Sequence, residues 1–239
     1  MITGLYSGAG GMVGQDDIQA VIARNLAKIN TIGYKKNIAS FQSIMSGKQQ
    51  AGSSKDASHG PIKVTTDFEQ GLHEYTGNDL DIAINGEGFF AVKAEDGVYY
   101  TRRGQFTLSR DLKVVTPEGW PLLTNGGEIV VPPNVKNVTI QANGTVSADG
   151  KELGKIKVVK VANVKTLQPI GGCAYKMSEK TTQEEAVKFE VAQGYIEKSN
   201  VNAIDEMVNM IANMRAYQSG GKVNDSIDES IKKLIKLAS

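Results

Sequence analysis

The sequence predicts an α+β fold in which N- and C-terminal helices pair as a coiled-coil-like hairpin, with a mainly antiparallel β-domain inserted between them. Three observations predict it. Apolar residues recur at helical spacing only near the two ends. Between the ends the period changes to two, punctuated by Asn-Gly and Asp-Gly turn dipeptides. No strand–helix–strand rhythm is present, which argues against a doubly wound nucleotide-binding fold.

Residues from about Gly4 to Asn30 read as the first helix, within an N-terminal segment 1–36. Leu5, Ala9, Met12, Gln19, Ala23 and Leu26 fall at steps of three, four or seven, and Ile18, Ile22 and Ile29 widen the stripe. The stripe also holds Asp16 and Gln19 and few large side chains, a poor lining for a dry monomeric core. Gly33 is the expected stop. Residues 37–78 read as an extended, partly mobile linker, because Gln42 to Gly60 carry almost no large apolar residue. Short strands are expected there at Ile62 to Thr66 and Gly71 to Tyr75.

The β-domain is expected over 79–193. Leu80, Ile82 and Ile84 alternate with Asp81, Ala83 and Asn85, and Asn85-Gly86-Glu87-Gly88 turns the chain into Phe89-Phe90-Ala91-Val92. Asp96-Gly97, Asn125-Gly126, Asn143-Gly144 and Asp149-Gly150 mark further hairpin turns between short strands, one of them at Ile129 to Val131. The C-terminal segment 194–239 returns to helical period from about Asn202. Ile204, Met207, Ile211 and Met214 form one stripe; Val223, Ile227, Ile231 and Leu234 form another on nearly the opposite face. Gly220-Gly221 lies between them. The helix either bends there or runs on and is buried on both sides by different neighbours.

Composition sets the class. The 239 residues are 40% hydrophobic and 22% charged with a net charge of +1, so no field draws the chain to nucleic acid or to an anionic membrane. The 26 glycines suit many tight turns. Cys173 is the only cysteine and reads as a partly buried thiol. No run of 18 apolar residues is present, and the N-terminus has no secretory-signal pattern.

No catalytic, metal or cofactor site is expected. His59 and His73 have no ligand spacing around them. Gly144 to Lys151 resembles a phosphate loop, but it has five residues between its glycines and Glu152 after its lysine, so it reads as two turns. Tyr99, Tyr100, Arg102 and Arg103 read as a strand and its turn rather than a nucleic-acid face.

Four segments together resemble one family, the axial proteins of the bacterial flagellar basal body and hook. They are Gly4 to Met12, Asn25 to Lys35, Leu80 to Phe90 with Tyr100 to Phe106, and Gly194 to Asn202 with Glu206-Met207-Val208 and Arg215-Ala216-Tyr217. Departures are Lys28 in place of Asn, no glycine in Asp111-Leu112-Lys113, which implies a lengthened hairpin, and Ser219-Gly220-Gly221 in the terminal helix. The chain is similar to short rod members, without the insertions of hook proteins. The opening segment and Val131 to Val159 look more like proximal rod proteins; Phe68 to Leu72 and Gly86 to Phe90 look closer to distal ones. The proximal likeness is favoured.

The resemblance implies a structural subunit, not an enzyme. It would be exported by the flagellar type III apparatus without a cleaved signal and would polymerise helically in the periplasm into a drive shaft that transmits torque from motor to hook. Its partners would be copies of itself and other rod proteins, with no nucleic acid, no small-molecule substrate and no membrane insertion. Subunit contacts are expected at Leu5, Met12, Ile22, Leu26, Ile204, Met207, Ile211, Met214, Ile227, Ile231 and Leu234. Asn25, Asn30, Thr31, Gly33, Ser199 and Asn200 are expected at the helix-to-domain junctions. The rival from another class is a periplasmic or cell-surface β-domain binding module, which would function without its ends.

Overall fold

The computed structural model of the protein describes residues 2–41, 62–133, 135, 137–177, 183–185 and 189–238. Two helices and mainly antiparallel strands make it α+β. The chain divides into two compact units. One comprises Met1–Ala27, Asn37–Asp67 and Val201–Ser239; the other comprises Lys28–Lys36 and Phe68–Asn200.

The first unit holds helix α1, Ile2–Ala27, helix α2, Ala203–Ala238, and a two-stranded hairpin. The helices pack antiparallel, since Asn25 meets Glu206, Gln19 meets Asn213 and Met12 meets Asn224. Asn202 starts α2: its side chain accepts the Ile204 N–H at 3.0 Å, and Asp205 and Glu206 in the first turn suit the helix dipole. α2 is unbroken through Gly220-Gly221. A Cβ added at Gly220 would lie 3.4 Å from Met12 Cγ, and one at Gly221 3.9 Å from Met12 Cε, so both glycines lie against the α1 methionine and an alanine there would meet it in ordinary contact.

α1 ends at Ala27, six residues before the expected stop at Gly33. A turn closes behind it, with the Thr31 N–H on the Lys28 carbonyl at 3.0 Å. Asn25 clamps the returning chain: it accepts the Asn37 N–H at 3.0 Å and donates to the Asn37 carbonyl at 2.8 Å. Asn37–Phe41 then pairs with Ile62–Thr66, from Asn37 opposite Thr66 to Phe41 opposite Ile62. Within the expected linker 37–78 these two stretches therefore pair with each other, and the strand expected at Gly71 to Tyr75 is His73–Tyr75, paired with Tyr195–Glu197 in the second unit. The stretch expected to be mobile, Gln42 to Gly60, lies outside the described residues.

The second unit is built on a six-stranded antiparallel sheet. Its order is Gln168–Gly171, Ala174–Lys176, Gly97–Thr101, Phe89–Ala94, Val158–Val161, Gln183–Glu185. The run Phe89-Phe90-Ala91-Val92 is continuous because both faces of its strand are buried. Phe90 and Val92 enter a large cluster with Ile82, Phe106, Leu122 and Ile156; Phe89 and Ala91 enter a second with Tyr100, Val159 and Tyr175. Edge-to-face ring pairs lie in each, Phe90–Phe106 at 5.6 Å and Phe68–Phe89 at 5.4 Å.

Ile82–Gly86 does not pair with Phe89–Ala94, although Asn85 to Gly88 looks like a hairpin turn. It pairs with Phe189–Gln193, because the turn carries the chain from one sheet to another. Asn125-Gly126 does close a hairpin, between Leu123–Thr124 and Gly127–Glu128. The strand expected at Ile129 to Val131 is reduced to an isolated bridge between Val130 and Lys113. Glu128 is bound by Lys113 at 2.7 Å and Lys93 at 2.8 Å, and these bonds hold its carboxyl at about 2. The stability that this depressed carboxylate contributes is present above the ordinary carboxylate range and is lost as pH falls towards that value. Gly144 to Lys151 forms the strand Thr145–Ala148 with a turn at each end.

The segment Asp111-Leu112-Lys113 lies in the five-residue connection between the paired strands Thr107–Leu108 and Val114–Val115, with the Leu112 N–H on the Ser109 carbonyl at 2.9 Å. Leu112 sits there at φ +59, a left-handed conformation that costs a branched L residue about 1 kcal/mol. Leu112→Gly should therefore raise the thermal midpoint by a few degrees, read by differential scanning calorimetry. An unchanged or lowered midpoint would show that the lost side-chain packing outweighs the relief.

Candidate functional site: buried charges and an exposed helical face

Each unit carries one arrangement that ordinary core packing does not explain. In the second unit it is a buried charge cluster. Lys35 and Glu197 are 1% and 0% exposed, and Lys35 Nζ donates to Glu197 Oε1 at 2.5 Å. Lys35 Nζ also donates to the Glu69 carbonyl at 2.5 Å. Glu197 Oε1 accepts the Gly71 N–H at 2.9 Å, and its Oε2 accepts from Arg102 at 3.3 Å. Arg102 gives a further bond to the Gly86 carbonyl at 2.8 Å and lies 5.3 Å from the Phe89 ring centroid. Burial pushes the Arg102 guanidinium below its ordinary value, and the Glu197 charge opposes that shift. One carboxylate thus ties four stretches of chain, around residues 35, 70, 102 and 197. Two backbone contacts tighten the same region: the Gly33 N–H donates to the Glu197 carbonyl at 2.8 Å, and the Lys36 N–H to Asn200 Oδ1 at 2.7 Å.

Of the residues expected at the junctions, Asn200 and Gly33 join this region. Asn200 also donates to the Glu69 carbonyl at 3.2 Å, and Gly33, at φ +69, lies against the Arg102–Arg103 backbone, where a Cβ would sit 2.5 Å from the Arg103 nitrogen. Thr31 accepts the Tyr34 N–H through its carbonyl at 3.3 Å; Asn30 is exposed in its turn and Ser199 is half-buried. Asn25 belongs to the first unit, with Asn37 and Glu206. The sequence reading missed Lys35, Arg102, Glu197 and Gly71. Lys35, Arg102 and Glu197 lie in the segments that carried the resemblance, and a charged residue inside such a segment was the available signal; Gly71 lies outside them. Arg102 is buried and Arg103 pairs with Glu118 at 2.7 Å, so the two arginines form no basic face.

In the first unit the unusual feature is the face of α2 turned away from α1. Ile204, Met207, Ile211 and Met214 are 72%, 50%, 53% and 50% exposed, and Val208 beside them is exposed too. The face turned towards α1 carries Glu206, Asn213, Gly220, Asn224, Ile227 and Ile231. Ile22 is buried in this unit, and Met12, Leu26, Ile227 and Ile231 are half-buried. The backbone of Leu5 lies in α1 and that of Leu234 in α2, and both side chains lie outside the described residues.

Comparison with known proteins gives this arrangement a context. Residues 83–148 match the family model described as flagellar hook protein FlgE/F/G D1 domain, and residues 192–237 match flagellar basal body rod FlgEFG protein C-terminal. The flagellar basal-body rod protein FlgG of Bacillus subtilis is 32% identical over 262 positions, covering 99% of each chain. The chain belongs to the flagellar basal-body rod protein family. The rod protein FlgF of Caulobacter vibrioides is 34% identical over 218 positions, 87% of this chain and 86% of the relative. The FlgG of Borreliella burgdorferi is 31% identical over 259 positions, 97% of each. The rod chain is a structural protein of the bacterial flagellum, in a family that is not one of enzymes, and its place is the basal body. Among its described residues no helix is long and apolar enough to cross a membrane.

The first matched segment contains the double-faced strand Phe89–Ala94 and Arg102. The second contains Glu197 and nearly all of α2. The matched segments thus carry Arg102 and Glu197 of the charge cluster and the exposed helical face, while Lys35 and Gly71 lie outside both.

Proposed function

We propose that the rod chain polymerises helically into the drive shaft that carries torque from motor to hook, through the apolar face of α2. The observation that carries this reading is the exposure of Ile204, Met207, Ile211 and Met214 on a helix whose opposite side already packs on α1. A row of four large apolar side chains left in water favours contact with another subunit. A repeated heterologous contact builds a helical array rather than a closed dimer. In this reading segments 1–36 and 194–239 pair as a coiled-coil-like hairpin and line the inner tube, 37–78 connects them, and 79–193 forms the outer layer. Leu5, Met12, Ile22, Leu26, Ile227, Ile231 and Leu234 serve the helix pair and its contacts with neighbours. Asn25, Asn30, Thr31, Gly33, Ser199 and Asn200 set the path of the chain between helices and domain. Export through the flagellar type III apparatus without a cleaved signal, and partnership with other rod proteins, belong to the same reading.

Ile211→Glu tests it. Burying this side chain against a neighbour is worth about 2 kcal/mol, so its replacement should raise the concentration needed for polymerisation on the order of thirtyfold. The thermal midpoint of the soluble chain should stay unchanged, because the side chain is exposed there. Sedimentation of purified protein and swimming of a complemented null strain provide the readouts. Normal polymerisation and swimming would remove α2's outer face from assembly.

The sequence likeness of the opening segment and of Val131 to Val159 favours a proximal place in the rod. The near full-length alignment to relatives named FlgG, the distal rod protein, favours the distal one. Imaging basal bodies from a deletion strain separates them. A proximal subunit's loss stops the rod near the membrane, and a distal subunit's loss leaves a short rod.

A further inference from the structure

We propose that Asn213 fixes the register in which α1 and α2 pair, and so selects which helix α2 accepts on that face. The residues of α2 that meet α1 recur every seven positions, Glu206, Asn213 and Gly220, with the half-buried Ile227 at the next step. A seven-residue seam can be satisfied in more than one register, because sliding one helix by a heptad, about 10 Å, restores the same packing positions. Apolar seams carry little information against such slips. Here a carboxamide stands where a leucine would stabilise the pair without specifying it. Asn213 is buried, and its Nδ2 donates to the Gln15 carbonyl at 2.8 Å and to Gln19 Oε1 at 2.9 Å.

A backbone carbonyl is available at every turn of α1, but a side-chain acceptor is not. Sliding α1 by one heptad sets Asn213 against Ile22 and Leu26 in one direction, and against Gly8 and Met12 in the other. Neither placement offers a side-chain oxygen. One N–H of a buried carboxamide is then left without an acceptor in the first placement, and with only the weak acceptor of the Met12 sulfur in the second, which disfavours the slipped pair. The same rung rejects any purely apolar helix that might compete for this face. α2 therefore presents two different surfaces, one that accepts α1 in a single register and one, at Ile204 to Met214, that carries no such code.

Disulfide trapping in the full-length chain, with Cys173→Ser to remove the native thiol, tests the lock. Met12→Cys with Gly220→Cys reports the observed register, and Met12→Cys with Ile227→Cys reports the one-heptad slip. With Asn213 present, the first pair should oxidise within the chain in at least tenfold excess over the second. Asn213→Leu should raise the yield of the slipped pair about threefold or more, with the Asn25–Glu206 bond still favouring the observed register. Gln19→Leu removes the acceptor instead of the donor and should act in the same direction, whereas Gln19→Glu keeps an acceptor and should preserve the observed register. If Asn213→Leu does not fold, the two Gln19 variants decide. The proposal is overturned if the slipped pair is as abundant with Asn213 in place, or if the leucine variants that fold leave the slipped pair at its original level.

Discussion

Glu197→Ala should destabilise the β-rich unit by about 3–5 kcal/mol, the cost of leaving buried charges without their partner. The carboxylate binds both Lys35 and Arg102, and it also accepts the Gly71 N–H. Removing it strands an ammonium and a guanidinium where water does not reach. For a unit of this size the thermal midpoint should fall by about 10 °C. Glu197→Gln should be nearly as damaging, since it keeps the shape and an acceptor but not the charge. The double variant Lys35→Met with Glu197→Gln should recover part of the loss, because the stranded ammonium is gone. Chemical denaturation of the wild type, Glu197→Gln, Lys35→Met and the double variant gives the coupling. A loss below about 1 kcal/mol for Glu197→Ala would mean that water reaches the cluster and screens it.

This cluster also shows why the sequence spoke clearly about some parts and not others. Local periodicity found both helices, because a stripe of apolar residues is written within a few turns. It found the strand Phe89–Ala94, because burial on both faces leaves a continuous apolar run. It did not find the bond between Lys35 and Glu197, which are 162 positions apart and carry no pattern that links them. Nor did it find Gln168–Gly171 or Tyr195–Glu197, which are four and three residues long and too short to show alternation.

α2 is the more instructive case. Ile204, Met207, Ile211 and Met214, expected at contacts with other subunits, are exposed in this chain, while Glu206 and Asn213 are buried. Hydrophobic periodicity reports which face of a helix avoids water in the working assembly. It does not say whether that face is covered by the same chain or by a neighbour. The polar seam towards α1 gives up packing energy for bonds that can form in one place only, at Asn25 with Glu206 and at Gln19 with Asn213.

Gly104→Ala should be the most damaging single-methyl change in the β-rich unit. The Gly104 backbone lies so close to its neighbour that an added Cβ would sit 1.5 Å from the Ile82 carbonyl oxygen and 2.7 Å from its carbon. Both atoms are backbone, in a strand held by the Ile82 N–H on the Gly104 carbonyl at 2.9 Å and by the full ladder to Phe189–Gln193. No side-chain rotation relieves the contact, so the two segments must part by more than an ångström and give up ladder bonds. The cost should be about 3 kcal/mol or more, above the ordinary range for an overpacked site. Gly97→Ala is the matched control. Gly97 sits at φ +142 with nothing within 4 Å of an added Cβ, so it carries conformational strain without collision and should lose only about 1 kcal/mol. Urea denaturation of both variants separates the two causes. A loss at Gly104→Ala no larger than that at Gly97→Ala would show that the segment shifts away from Ile82 at little cost. A larger loss at Gly104 would show that the glycine is needed for contact. The segment that delivers Arg102 to Glu197 would then depend on a residue with no side chain two positions further on.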